Sequence, residues 1–254
     1  MSTIKGTRTL HVITLNPNKV NTGEELYIDI PKLKPDSCLV PGSLHLLFDF
    51  KNSNAKCWFN NNLSKLLCER LQIKLAGETV YDNSGESHLS VYKDLWRTKT
   101  DRLQTLEYGI ANENLRKLIR KDDSGASGDA QKVSDGLMFS VSGAKQRVRI
   151  GRILDNHGLY APFSMNNNFQ YIITLPTAST IMTAQSGSAV GTSSLENLEL
   201  EYETVQNPYI AMEVTQGYST GRSLSYEHTT LMKTTEWGAA STSVNENINI
   251  PESQ

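Results

Sequence analysis

Five histidines (His11, His45, His88, His157 and His228) and three cysteines (Cys38, Cys57 and Cys68) are the side chains best suited to hold a metal or attack an electrophile. Their spacing argues against both. A zinc site draws neighbouring ligands from one short motif, and neither His-x-His, His-Glu-x-x-His nor Cys-x-x-Cys occurs here. An odd number of cysteines without close pairs argues against a disulfide framework and for synthesis in a reducing compartment. His45 alternates with apolar residues in "GSLHLLFDF", which predicts a solvated histidine on the polar side of a strand. His157 lies beside Asp155 in the turn-rich "LDNHGLYAP". A general base is conceivable there, but a loop histidine bonded to backbone is the commoner case. Cys57 and Cys68 read as buried or half-buried free thiols.

Nucleophile and phosphate motifs are missing too. There is no Gly-x-Ser-x-Gly, and "SGSAVG" and "SGAS" resemble one in composition only. "GASGDA" lacks the strand before it and the apolar helix after it that a phosphate loop needs. Asp122-Asp123 lacks the spacing and glycine of a calcium loop. The basic run "GAKQRVRIGR" sets Lys145, Arg147 and Arg149 at alternate positions against Val148 and Ile150, with Arg152 beyond. One charged strand face results, open to nucleic acid, to a carboxylate-rich neighbour or simply to solvent. The formal net charge of −2 offers no basic excess to neutralise phosphates. The expectation is no metal, no organic cofactor and no enzymatic activity.

The elements that carry these residues are mostly strands. "EELYIDI" puts Leu26, Ile28 and Ile30 on one face, and "GSLHLLFDF" does the same with Leu44, Leu46, Phe48 and Phe50. "FQYIITLP" and "LENLELEYETV" repeat the two-residue period later. In "RLQIKLAGETVYDNSGES" two such runs flank a turn at Ala76-Gly77-Glu78. Then "GESHLSVYKDLWRT" carries Leu89, Tyr92, Leu95 and Trp96 at helical spacing, with Ser84 or Ser87 as N-cap. "NENLRKLIRK" repeats that pattern with Leu115, Leu118 and Ile119. Two Gly/Ser/Thr-rich stretches, Asp122–Asp129 and Thr177–Ser194, read as exposed, mobile loops. With 254 residues, seven or eight strands and long unequal connections, an all-β jelly-roll sandwich with helical insertions is the predicted fold.

Several long phrases in order then become recognisable: "LVPGSLHLLFDFKNSN", "WFNNNLSKLLCERLQIKLAGETVYDNSGES", "VYKDLW", "EYGIANENLRKLIRKDDSG", "ILDNHGLYAPFSMNNNFQYIITLP" and "LELEYETVQNPYIA". Together they resemble the major capsid protein of Polinton/Maverick elements, which are self-synthesising DNA transposons related to adintoviruses. The resemblance runs from about residue 10 to 250. It implies a double jelly-roll fold, trimerisation into pseudo-hexameric capsomers and a non-enzymatic role in a virion capsid. Such a protein would be made in the cytoplasm and could assemble in the host nucleus. Its partners would be copies of itself, with a penton or minor capsid protein beside them. The sequence carries no membrane-inserting segment and no strong nucleic-acid signal.

On this reading residues 1–23 form an N-terminal arm. Residues 24–218 form the first jelly roll, with a helical insertion at about 86–121. Residues 219–254 form a linker and the start of a truncated second jelly roll, near Val244. The expected subunit contacts are Trp58, Phe59, Tyr92, Trp96 and Tyr108, although for Trp96 a core position is equally consistent with its spacing. The competing function is a soluble jelly-roll module that binds a small ligand or glycan.

Overall fold

The computed structural model describes residues 6–53, 57–59, 63–98, 100, 145–150, 169–184, 187 and 189–219. In chain order the elements begin with β1 (Thr7–Thr14), β2 (Lys19–Asn21), β3 (Glu25–Asp29), β4 (Ser37–Leu39), β5 (His45–Asn52) and β6 (Cys57–Phe59). A short helix α1 (Leu63–Leu66) leads to β7 (Arg70–Leu75), β8 (Glu78–Asn83) and helix α2 (Glu86–Leu95). After these come β9 (Gln146–Arg149), β10 (Phe169–Thr174), α3 (Ala178–Ile181), β11 (Met182–Ala184), β12 (Ser193–Gln206) and α4 (Pro208–Ser219).

One sheet has the order β1-β12-β5-β9, with β2 and β4 also along β12; the other has the order β3-β10-β7-β8. Along the main strands β1, β3, β5, β7, β8, β9, β10 and β12, the chain changes sheet at every step except the β7–β8 hairpin. That alternation is the jelly-roll connectivity that the long crossovers predicted, and the structure bears the fold expectation out. A third, two-stranded sheet pairs β6 with β11.

The core follows from the alternation of apolar residues. Leu26 and Ile28 of β3, Leu44, Leu46, Phe48 and Phe50 in and before β5, and Tyr171 and Ile173 of β10 are all buried. On β12 the core residues Leu195 and Leu198 are three apart, which a regular strand would place on opposite faces. A bulge between Glu196 and Glu199 resolves the conflict, and Asn197 takes φ 52° there, a left-handed conformation asparagine tolerates. The β7–β8 turn uses the same device twice, with Ala76 at φ 55° and Gly77 at φ 87°, as a tight two-residue hairpin requires.

That hairpin is tied to α2 by a buried polar cluster. The Tyr81 hydroxyl donates to Glu86 Oε2 at 3.0 Å, and Asn83 Nδ2 donates to the same oxygen at 2.9 Å. Asn83 Oδ1 accepts from the Gly85 N–H at 3.1 Å, so this side chain organises the helix start. The N-cap is therefore Gly85 and not Ser84 or Ser87. Arg70 adds a two-pronged pair to Asp82, at 2.9 and 2.8 Å, on the hairpin's other face. Replacing Glu86 by Ala would remove the buried acceptor that Tyr81 and Asn83 share and should cost about 1–3 kcal/mol in urea denaturation. A midpoint within error of the wild type would show that the cluster does not anchor α2.

Tyr92, Leu95 and Trp96 form the helical stripe that their spacing predicts, exposed as contact residues must be, while Glu86 and Ser87 are the buried residues of α2. Three expectations change. The stretch Thr177–Ser194 is not simply a surface loop: α3 and β11 lie within it, and Ile181 and Met182 are each only 1% exposed. Those two adjacent apolar side chains anchor it despite its polar composition. Residues 1–23, expected as an arm, contain β1 and β2, both paired with β12. Helix α4 was not anticipated at all. The predicted helix at 112–121, the loop Asp122–Asp129 and the segment around Val244 lie outside the described residues.

Candidate assembly surfaces

Strand β12 presents its glutamates on the face opposite the core, and each meets a cation from a neighbouring strand or the residue beside it. Glu196 is held between Lys19 of β2 at 2.8 Å and Lys51 of β5 at 2.5 Å. Glu199 pairs with Lys145 at 2.6 Å, just before β9, and Glu203 with Arg8 of β1 at 3.3 Å. Arg147 of β9 donates through Nε to Glu201 Oε1 at 2.8 Å and also through Nη2. The two ammonium groups hold the Glu196 carboxyl down to about 2. This ladder staples strands far apart in sequence across the outer face.

The ladder decides the reading of the basic run. Val148 points into the core, while Arg147 and Lys145 turn outward to the carboxylates of β12. The carboxylate-rich neighbour is therefore the chain itself, and these two cations are neutralised by it. Arg149 lies against Gly42, whose φ of +75° would strain any side chain, while the guanidinium 2.9 Å from an added Cβ is the end of a flexible side chain that can move aside. Arg152 lies outside the described residues.

His45 corrects the expectation of a solvated side chain. It does sit on the outer face of β5, yet it is fully buried. Its Nδ1 lies 2.8 Å from the Ser43 carbonyl oxygen and donates to it, while Nε2 is buried with no hydrogen-bond partner among the described residues. Glu201 is 3.8 Å away, and burial together with Arg147 and Arg149 drives the imidazole pKa down to about 4. His11 stacks on Tyr202 with ring centroids 4.9 Å apart and lies 2.9 Å from the Thr204 hydroxyl. His157 and His228 lie outside the described residues.

Cys38 and Cys57 are buried free thiols, and Cys68 is half-buried. Burial pushes the Cys38 thiol up, which makes it a poorer nucleophile. Among the described residues, no group of three or more His, Cys, Asp or Glu is placed to hold a metal ion. Among them also, no helix is long and apolar enough to cross a membrane.

The expected contact residues fall into three groups. Tyr92 and Trp96 are 59% and 76% exposed and meet edge to face at 6.2 Å, with Leu95 beside them on α2. The core alternative for Trp96 is thereby excluded. Trp58 and Phe59 lie in β6, in register with Thr183 and Met182 of β11. Tyr108 lies outside the described residues. Sequence reasoning missed two further exposed sets, Leu10 and Val12 on β1 and Tyr209 and Met212 on α4. A signal for α4 existed: Asn207 followed by Pro208 is an N-cap and first-turn pair, and Asn207 Oδ1 accepts from the Tyr209 N–H at 3.0 Å.

These features define a jelly-roll sandwich whose outer sheet is closed by ion pairs and whose exposed apolar side chains sit on helices and an edge strand. Among the solved structures similar to it are two of viral capsid proteins. One is described as the crystal structure of PBCV-1 VP54 fitted into a cryo-EM reconstruction of the virophage Sputnik. It has a TM-score of 0.52 and 13% identity, covering 85% of this chain and 46% of that one. The other is a quasi-atomic model of the PBCV-1 virus capsid, with a TM-score of 0.50, 13% identity and coverage of 84% and 46%. The chain spans about half the length of the solved structures it matches. No protein family matches the sequence, and no curated protein does. At this identity the likeness is one of fold.

Proposed function

We propose that the chain is a structural, non-enzymatic subunit of a viral or virus-like capsid of the Polinton/Maverick type, acting by self-assembly into trimeric, pseudo-hexameric capsomers. Its partners are copies of itself, with a penton or minor capsid protein at the lattice vertices, and its place is the virion shell. The observation that carries this reading is the jelly-roll connectivity over 84% of the chain in common with a virus capsid structure. The charge ladder supports it, because a sheet face that neutralises its own cations leaves little to hold a polyanion.

The test is mass spectrometry and immunogold labelling of particles purified from cells that express the chain. The chain is expected as a major component of regular shells. Its absence from such shells, together with glycan binding by the purified protein, would overturn the reading in favour of a ligand-binding module.

A second expectation concerns α2. Changing Tyr92 and Trp96 together to Ser should cut the yield of regular particles from expressing cells at least tenfold, since exposed aromatics are the usual anchors of interfaces. Stability should move by less than about 0.5 kcal/mol, because neither side chain is in the core. An unchanged particle yield would remove α2 from the contact surface.

A further inference from the structure

The long edges of the two sheets are β1 and β9 in one and β3 and β8 in the other, beside the three-residue β2 and β4, which also pair with β12 alone among the described residues. Natural edges are protected by charge, and three of the long ones follow the rule. β3 carries Glu25 and Asp29, β8 carries Glu78 and Asp82, and β9 carries Arg147 and Arg149. β1 does not. Its eight residues, "TRTLHVIT", hold a single charge, Arg8, and Leu10 and Val12 stand 61% and 51% exposed.

The hydrogen-bonding direction of this edge can be read from its partner. The Leu15 N–H donates to the Leu198 carbonyl at 2.9 Å, continuing the register in which Thr14 faces Glu199. Backbone groups alternate along a strand, so the odd-numbered residues of β1 bond β12. Arg8, Leu10, Val12 and Thr14 therefore turn their N–H and C=O groups away from the sheet. Among the described residues β1 pairs with β12 alone. The outward backbone groups and the exposed apolar side chains belong to the same residues.

We propose that β1 is a pairing edge for a second copy of this chain, joined antiparallel about His11 so that the two outer sheets become continuous. In that register Leu10 lies opposite the second copy's Val12, and Arg8 lies opposite the second copy's Thr14. Opposed residues in an antiparallel pair share a face, so the two exposed apolar side chains cover each other. The only charge of the strand meets a hydroxyl instead of its own copy. The outward residues pair only with outward residues, which satisfies all four N–H and C=O sets at once. The edge is self-complementary in side chain, charge and hydrogen bonding, and this selects a second copy over an unrelated strand. Two paired strands bury less than the ~1,200 Å² of a stable interface, so the association is reversible and concentration-dependent.

The inference is independent of the capsid reading, since pairing through β1 needs no shell. The test is sedimentation of the full chain from about 1 μM to about 1 mM, a window set by weak association. A monomer–dimer equilibrium is expected. Val12→Pro removes an outward N–H without touching a bond to β12, and should raise the dissociation constant at least tenfold. Leu10→Lys changes only an exposed side chain and should do the same, which keeps the test decisive if the proline variant folds poorly. Circular dichroism and thermal melts should show Leu10→Lys folded as the wild type is. Sedimentation as a monomer throughout would overturn the proposal, as would self-association that a folded Leu10→Lys variant leaves unchanged. Loss of particles with β1 pairing intact would count against the capsid reading alone.

Discussion

Phe48→Ala is expected to remove about 3–5 kcal/mol of stability, the range for deleting a fully buried phenylalanine. Phe48 is 0% exposed and lies in β5, between β12 and β9, facing the core with Leu46 and Phe50. The lost side chain leaves a cavity that both sheets would have to close. Phe48 pairs with Gln146 of β9 but falls at the bulge of the β12 ladder, so the cost should fall within that range. Typical domains hold only about 5–15 kcal/mol in total, so the variant should be partly unfolded at 37 °C. Urea denaturation followed by circular dichroism measures the loss. A shift under about 1 kcal/mol would mean that β5 is not central to the sandwich.

How far the fold could be read ahead depended on whether the signal was local. The period-two runs around Leu26, Leu46 and Ile173 are local, and they predicted both the strands and the faces they bury. The jelly roll itself was legible because long connections between strong strands force neighbours in sequence into opposite sheets. Alternation, however, tells which face a residue takes and not whether that face is open. Alternation puts His45 on the correct side of β5 but does not show that this face is covered, and the side chain is buried.

The helical spacing of α2 showed the same limit in reverse. Tyr92, Leu95 and Trp96 formed the predicted stripe, but the buried contacts were made by Glu86 and Ser87 at the other end of the helix. The charge ladder was half visible. Glu199, Glu201 and Glu203 stand at alternate positions in "LELEYE", but their partners Lys145, Arg147 and Arg8 lie 54 to 195 residues away. Such pairing is set by topology, which short-range pattern does not encode. β1 reads as an arm for the same reason, since its strand partner β12 lies at the far end of the described chain.

The buried His45 should make the protein acid-sensitive in a defined window. Burial is the main cause of its depressed pKa, and the guanidinium groups of Arg147 and Arg149 oppose a further positive charge beside them. The Ser43 carbonyl and the Glu201 carboxylate pull the other way without restoring the balance. Folding lowers the imidazole from its ordinary 6.5 to about 4, so the unfolded chain takes up the proton first as the pH falls. The stability is therefore complete above pH 6.5, declines from there to about 4, and loses no more from this group below that. A shift of that size corresponds to roughly 3 kcal/mol at the acid end. Glu196 contributes in a lower window, because its stabilisation is complete above the ordinary 4.5 and is lost as the pH falls from there to about 2. Chemical denaturation at pH 7 and pH 5 should show the wild type losing about 2 kcal/mol between the two, as one and a half pH units of differential proton binding require. A His45→Asn variant removes the titrating group, and its loss over the same interval should be much smaller. Equal losses in the two proteins would show that His45 is not the group that senses acid.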